Sequence, residues 1–331
     1  MKRNYNFVTL AKEYGFEPSM VEKVCRISDI LEDISAVRFL RDRLSLYGGT
    51  AFTFIYSQES TANLQGTHEA SSSVSTGIQR LSIDIDLNYR HLDQKDWGEV
   101  RRVIDERIKT LLYRRGYEES AISINPSYPL ARIIVGYVNH EGLKDSYNIE
   151  IGYMRRYPVL RNDSLADFRH IGTGETFPIK TPIKEELFSN KWCTLLYRGT
   201  PRDLFDVFQI TKMDIDPIVF RKCAVIDSLM RGEPKLHEID LNEVIDDISI
   251  DSSLRNLLCV DLSSTLNIKH MLEKSKEFSR SIISSLEEEE VDVINRFYEH
   301  REFEPERLDK EGILNPKTAE HPSILWAMKK L

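Results

Sequence analysis

Asp84 and Asp86 stand one residue apart in the stretch RLSIDIDLNY, residues 80–89. In an extended chain residues i and i+2 point the same way, so the two carboxylates project together while Ile83, Ile85 and Leu87 take the other face. Carboxylates held this close repel each other and call for a cation. Oxygen ligands suit Mg²⁺ or Mn²⁺, and a Mg²⁺ ion held by few carboxylates completes its shell with substrate phosphates. The pattern therefore points to phosphoryl or nucleotidyl transfer. A solvated strand face is the plain alternative, because D-x-D alone is common. Three features weigh against it: the flanks are apolar as in a central strand, Arg80 and Ser82 share the carboxylate face, and a third acid is available. That acid is Glu150, which alternates with Ile149 and Ile151 in YNIEIGY and is the expected third metal ligand.

Upstream lies Gly48-Gly49-Thr50. Paired glycines let backbone approach a phosphate closely, and Thr50 is placed to cap a following helix. The free N–H groups of a helix start attract anions. The triplet is also an ordinary strand-to-helix turn. Beside a D-x-D strand it reads as the seat of a triphosphate whose metal the carboxylates hold.

These residues need elements to position them. Residues 5–42 read as helices, with Val21, Val24, Ile27, Ile30 and Leu31 at helical spacing. RLSLYGG predicts a short strand, TAFTFIYS a helix, and RLSIDIDLNY an alternating strand. DQKDWGEVRRVIDERIKTLLYRRG predicts a long helix closed by Gly116, and SAISIN, ARIIVGYVN and DSYNIEIGYM predict three more strands. The order from Leu44 to Met154 gives a small mixed sheet with helices, an α+β layout. Residues 57–77 are polar and serine-rich and read as a loop, with Ser71, Ser72, Ser73, Ser75 and Thr76 as candidates for a lid or for modification. Beyond about residue 180 the pattern becomes helical almost throughout. Glycine and proline in GTGETFPIKTP set the expected boundary between a core over 1–178 and a helical domain over 179–331.

On the helix expected over 185–198, Phe188, Trp192 and Leu195 form the apolar stripe, with Lys191, Thr194 and Arg198 beside it. TPRDLFDVF starts another helix with Thr200 as N-cap, Pro201 at N1 and Asp203 at N3, where a capping acid sits. Arg202 and Asp206, four residues apart, are spaced for a simple surface bridge. The basic doublets Arg101-Arg102, Arg114-Arg115 and Arg155-Arg156, interleaved with tyrosines, suit RNA contact, or equally the solvated ends of elements.

The 331 residues suffice for a real core. With 41% hydrophobic and 30% charged residues the composition is that of a soluble globular protein, and a net charge of −8 means an anionic substrate needs a local basic surface. Cys25, Cys193, Cys223 and Cys259 are widely spaced and read as reduced thiols. The polar N-terminus has no signal-type apolar core, and no run approaches the roughly 18 apolar residues of a membrane span. A cytoplasmic protein without membrane contact is expected.

Gly48-Gly49-Thr50-Ala51 followed by Arg80-x-Ser82-x-Asp84-x-Asp86-Leu87, then Lys191 and Pro201-Arg202-Asp203-Leu204-Phe205-Asp206, resembles the AbiEii/AbiGii toxin family of nucleotidyltransferases, which includes the MenT toxins. The likeness covers roughly residues 40–210. It implies a polymerase-β-like nucleotidyltransferase core followed by a mostly helical C-terminal part. It implies Mg²⁺ (or Mn²⁺), an NTP donor, the 3′ end of tRNA as acceptor with arrest of translation, and a cognate antitoxin in an abortive-infection or phage-defence system. It also implies that Lys191 neutralises phosphate charge, with Arg198 and Arg202 beside it, and that Asp203 or Asp206 orients Lys191 or the site arginine. The loop over 57–77 departs from the family, where this link is often shorter.

Rival readings remain at this stage. A haloacid-dehalogenase-type phosphatase would want its D-x-D near the N-terminus and Thr or Val where this chain has Asn88. A protein nucleotidylyltransferase, or a non-catalytic RNA- or antitoxin-binding module, would share much of the same surface chemistry.

Overall fold

The computed structural model describes residues 3–57, 77–90, 97–125 and 129–331. The serine-rich positions Ser71 to Thr76 lie outside the described residues. The chain divides into two compact units, one built from 1–156, 164–181 and 256–265, the other from 157–163, 182–255 and 266–331.

In the first unit α1 (Phe7–Tyr14), α2 (Pro18–Ala36) and α3 (Arg38–Arg43) precede the sheet. Pro18 takes the first turn of α2, where its missing N–H costs nothing. Val21, Val24, Ile27, Ile30, Leu31 and Ile34 line the buried side of that helix. The strands are β1 (Leu44–Tyr47), β2 (Ile85–Tyr89), β3 (Ile122–Asn125), β4 (Leu130–Val138) and β5 (Lys144–Gly152). They join in the order β1-β2-β5-β4-β3, with β2–β5 parallel and the other pairs antiparallel. Between β1 and β2 the chain turns through α4 (Gly48–Ala51), which widens into a π-helical stretch, Phe52–Tyr56. α5 (Trp97–Arg114) follows β2, and Gly116 beyond it adopts a left-handed φ of 85°. The sheet has two unlike faces. Ile85, Leu87, Tyr89, Ile133, Val135, Tyr147, Ile149 and Ile151 are buried, and α2 packs against α5 and β5. The alternate positions carry Asp86, Asn88, Asn148, Glu150 and Arg132 on the opposite face.

The strand, helix, strand, helix, three-strand order expected between Leu44 and Met154 is present, and the fold is α+β. Two details differ. β2 begins only at Ile85; residues 79–81 instead pair with a returning segment, Leu81 N–H donating to Leu257 O and Cys259 N–H to Gln79 O. A second sheet, β6 (Ser164–Arg169) paired antiparallel with β7 (Thr176–Thr181), occupies the stretch read as a junction. Pro178 lies in β7, a two-stranded edge where a missing N–H is tolerated. Phe168 stacks on Phe177 at 5.0 Å and meets Phe54 of the π-helical stretch at 5.4 Å.

The second unit is helical: α6 (Lys184–Arg198), α7 (Pro201–Ile210), α8 (Pro217–Arg231), α9 (Ile268–Ser284), α10 (Glu288–His300) and α11 (Pro322–Lys330), with shorter turns between. Trp192 of α6 anchors its core, its indole Nε1 donating to Ser279 Oγ at 2.9 Å and its ring meeting Phe220 at 5.9 Å. All four cysteines are buried free thiols. Among the described residues no helix is long and apolar enough to cross a membrane.

Candidate active site

The carboxylate face is assembled by register. Asp86 on β2 pairs with Glu150 on β5, and Glu150 pairs with Arg132 on β4, so the three lie in one cross-strand row. Asp84 precedes β2 by one residue, and its Oδ1 accepts from Asn148 Nδ2 at 3.2 Å. Asp84, Asp86 and Glu150 thus border one patch of the sheet face, as residue parity led one to expect. Glu150 is turned toward Arg132, whose Nε donates to Oε1 at 2.7 Å.

The glycine turn is fitted against this patch. Tyr47, the last residue of β1, pairs with Asp86, which delivers Gly48 beside the acid. Gly48 has φ 69°, and a Cβ there would lie 2.7 Å from Asp86 Cγ. A Cβ on Gly49 would lie 2.7 Å from Ser82 Oγ and 3.3 Å from Arg80 Nη2. Both glycines are therefore required by close approach, and Gly48 by its backbone angle as well. Arg80 and Ser82, both buried, flank the turn although they precede the strand.

Thr50 does not cap the helix. Tyr47 occupies the N-cap position, and Thr50 sits inside α4 with no solvent exposure. Its Oγ1 donates to Asp84 O at 2.5 Å and lies 3.0 Å from Ser82 Oγ. It therefore ties the glycine turn to the loop that carries Asp84. The helix had begun two residues earlier than the glycine pair suggested, because Gly48 accepts a left-handed φ at its first position.

Sequence reasoning used Asn88 only to argue against a phosphatase and did not place it in the site. It shares the carboxylate face, is 7% exposed, and its Nδ2 has no hydrogen-bond partner. An orphaned buried donor costs about 1–3 kcal/mol, so a polar ligand atom beside it is favoured. The donor set here is Asp84, Asp86 and Glu150 oxygens with an amide close by. That is the chemistry of a hard divalent cation. The residues fit a metal–triphosphate.

The other predicted residues belong to the second unit. Lys191 Nζ is 3.0 Å from Asp206 Oδ2, with side-chain exposures of 11% and 1%. Arg198 grips Asp203 through Nε and Nη2 at 2.8 and 2.6 Å, and Thr200 Oγ1 donates to the same carboxylate at 2.5 Å. Burial alone would raise the Asp203 carboxyl, but the Arg198 and Thr200 hydrogen bonds hold it below its ordinary value. The two acids thus divide the cations between them, Asp206 on Lys191 and Asp203 on Arg198. The simple Arg202–Asp206 bridge does not form, because Asp206 turns inward. Arg202 is half-buried at the start of α7.

Ligand-type side chains also cluster elsewhere in the first unit. Among the described residues Asp29, Glu32 and His170 bring donor atoms within 4.8 Å of one another, closer than Asp84, Asp86 and Glu150 come. Arginines already occupy this cluster: Arg115 Nη1 is 3.0 Å from Asp29, and Arg3 Nη1 is 2.5 Å from Glu32. Burial would raise the Asp29 carboxyl, yet the His170 hydrogen bond and the Arg115 charge hold it low. This is an ion network that ties α2 to the irregular N-terminal segment at Arg3 and to Arg115 just beyond α5. The basic doublets are likewise engaged. Arg115 pairs with Asp33 at 2.6 Å, Arg102 with Glu99 at 2.6 Å, and Arg101 covers the buried ring of Tyr153.

The chain matches the family model described as nucleotidyl transferase AbiEii toxin, type IV toxin–antitoxin system, over residues 29–292. No curated protein sequence matches it. Among solved structures it is similar to MenT4, a nucleotidyltransferase toxin from Mycobacterium tuberculosis H37Rv, with TM-score 0.63 and 14% identity over 92% of this chain and 98% of that one. At that identity the likeness concerns the fold.

Proposed function

The chain belongs to the AbiEii family of nucleotidyl transferase toxins and is a nucleotidyltransferase, and from that premise we propose that it transfers nucleotides from an NTP to an RNA acceptor, the 3′ end of tRNA. The observation that carries this reading is the row of Asp86 and Glu150 beside Asp84, set against a glycine turn with no room for side chains. Asp84, Asp86 and Glu150 hold Mg²⁺ or Mn²⁺. When bound, the ion lowers the pKa of the attacking hydroxyl and takes up charge on the leaving oxygen. The backbone of Gly48 and Gly49 seats the triphosphate, with Thr50, Arg80 and Ser82 holding that turn against the carboxylates. Asn88 offers its amide to the bound nucleotide. Lys191, oriented by Asp206, supplies positive charge for the phosphates, as Arg198 does from its Asp203 clamp and Arg202 beside it. The acceptor's 3′-hydroxyl attacks the α-phosphorus, the new phosphodiester forms, and pyrophosphate departs with the charge it gains. Blocked acceptor ends would arrest translation in the cytoplasm, and a cognate antitoxin would neutralise the protein, as the type IV system of the family implies.

The test is incubation of the protein with total tRNA, Mg²⁺ and each α-labelled NTP, alongside Asp84→Ala. Label on tRNA with the wild type and none with the variant is the expected result. Label on the protein in place of RNA would make it a protein nucleotidylyltransferase. No label anywhere, with effects on cells unchanged in Asp84→Ala, would make it a binding module.

A further inference from the structure

Arg132 is held by only part of its guanidinium. Its Nε donates to Glu150 Oε1 at 2.7 Å. Among the described residues its two terminal nitrogens make no hydrogen bond, and the side chain is half exposed. Glu150 lies between Asp86 on one side and Arg132 on the other. Arg132 therefore offsets the repulsion of two neighbouring carboxylates while presenting a planar pair of N–H donors to solvent.

Its position along the sheet gives those donors a direction. The triphosphate seat lies at the β1 side of Asp86, where Gly48 meets the carboxylate. In phosphoryl transfer the attacking and leaving oxygens are roughly in line. If pyrophosphate leaves toward the glycine turn, the acceptor approaches from the other side of Asp86, over β5 and β4. On that side Arg132 is the cation nearest the carboxylates in the row. Beyond it the face stays open, with Ile134, Ser123 and Asn125 exposed on β4 and β3. An acidic chain that binds RNA must concentrate its positive contacts, and of the basic doublets Arg115 is spent on Asp33 and Arg102 on the exposed Glu99.

We propose that Arg132 binds a backbone phosphate of the acceptor RNA through its two terminal nitrogens while its Nε keeps Glu150 in place. The fork geometry of arginine permits both contacts at once. This rests on the reading of the chain as an RNA nucleotidyltransferase with Glu150 at the metal. The consequence is that the same side chain reports acceptor arrival to the carboxylate row: pulling on the guanidinium pulls on Glu150.

The experiment compares wild type, Arg132→Gln, Arg132→Lys and Glu150→Gln in three measurements. These are binding of total tRNA against salt concentration without NTP, Mn²⁺ binding by calorimetry, and KM for NTP in the labelling reaction. Arg132→Gln should weaken tRNA binding about tenfold and reduce the slope of log K against log salt by about 0.7–0.9, the loss of one phosphate contact. Its Mn²⁺ affinity should fall by less than that of Glu150→Gln, because Glu150 loses a support while the ligand itself remains, and its KM for NTP should change less than its tRNA affinity. Arg132→Lys should restore the slope but only part of the affinity, because an ammonium has no fork. An unchanged salt slope in Arg132→Gln overturns the proposal. So does a loss of Mn²⁺ binding equal to that of Glu150→Gln, which would reduce Arg132 to a prop for its neighbour. Failure of the wild type to bind or label tRNA overturns the acceptor reading itself, and Mn²⁺ binding unaffected by Glu150→Gln overturns the ligand assignment.

Discussion

The Asp86 carboxylate occupies the space in which Gly48 would carry a side chain, its Cγ 2.7 Å from an ideal Cβ. Gly48 also holds a φ of 69°, which costs an L-residue about 1–2 kcal/mol. Gly48→Ala should therefore push Asp86 aside. A misplacement of this size costs about 100-fold in rate, read in the labelling assay together with a parallel loss of Mn²⁺ affinity. Gly142→Ala is the control. It shares a positive φ of 83° but has nothing within 4 Å, so it should lose a little stability and no activity.

Lys191 and Asp206 form a pair in which the acid is 1% exposed. Removing one partner of a buried pair costs about 3–5 kcal/mol, because the other charge is left unpaired. Lys191→Met should thus lower the urea midpoint strongly, and Lys191→Met/Asp206→Asn should recover much of that loss. A double variant no more stable than Lys191→Met would show that the pair is not what holds α6 to α7.

Asp203 gives a sign that acid titration can read. Its folded carboxyl is depressed below the unfolded value of about 3.9, so its stabilisation is present above that pH and is lost as pH falls through the folded value. Asp203→Asn should be destabilised at pH 7 and match wild type at the acid end. Arg198 is largely exposed, so solvent screening keeps the effect near about 1 kcal/mol. A difference that persists unchanged into acid would assign the effect to the helix cap instead.

Asp105 on α5 behaves oppositely. Burial pushes its carboxyl up to about 6; Glu106 adds to the rise and Arg101 opposes it. Between the unfolded and folded values the native state binds the extra proton, so stability falls as pH rises through that window. Asp105→Asn should melt higher than wild type at pH 7.5, with the gap closing below about pH 4. Equal melting temperatures at both ends would contradict this.

Much of the first unit was legible from residue alternation. Ile85 and Leu87 on one side and Asp86 on the other fix a face, and Ile149, Glu150 and Ile151 do the same for β5. Alternation cannot supply register between distant strands, so nothing in ARIIVGYVN marked Arg132 as the neighbour of Glu150. Asn88 escaped because an asparagine in a strand carries no motif. Its meaning comes from burial without a partner. β6 and β7 were hidden by the glycines of their turn and by Pro178, which read as a break although the strand is an edge. Thr50 was assigned to its own helix by local rules, while its hydroxyl serves the loop at Asp84, 34 residues on. The helical half was plain in outline, but which acid would take which cation was decided by the facing of α6 and α7.

The segment pairing residues 79–81 with 257–259 also has a bearing on how the protein comes into being. The stretch immediately ahead of Asp84 has its hydrogen-bonding complement encoded far downstream, past the first three helices of the helical part. A nascent chain still on the ribosome can form β1, β2 and β5 long before it can complete the approach to its carboxylates. Assembly of the edge ahead of Asp84 therefore waits until residues 257–259 have been made.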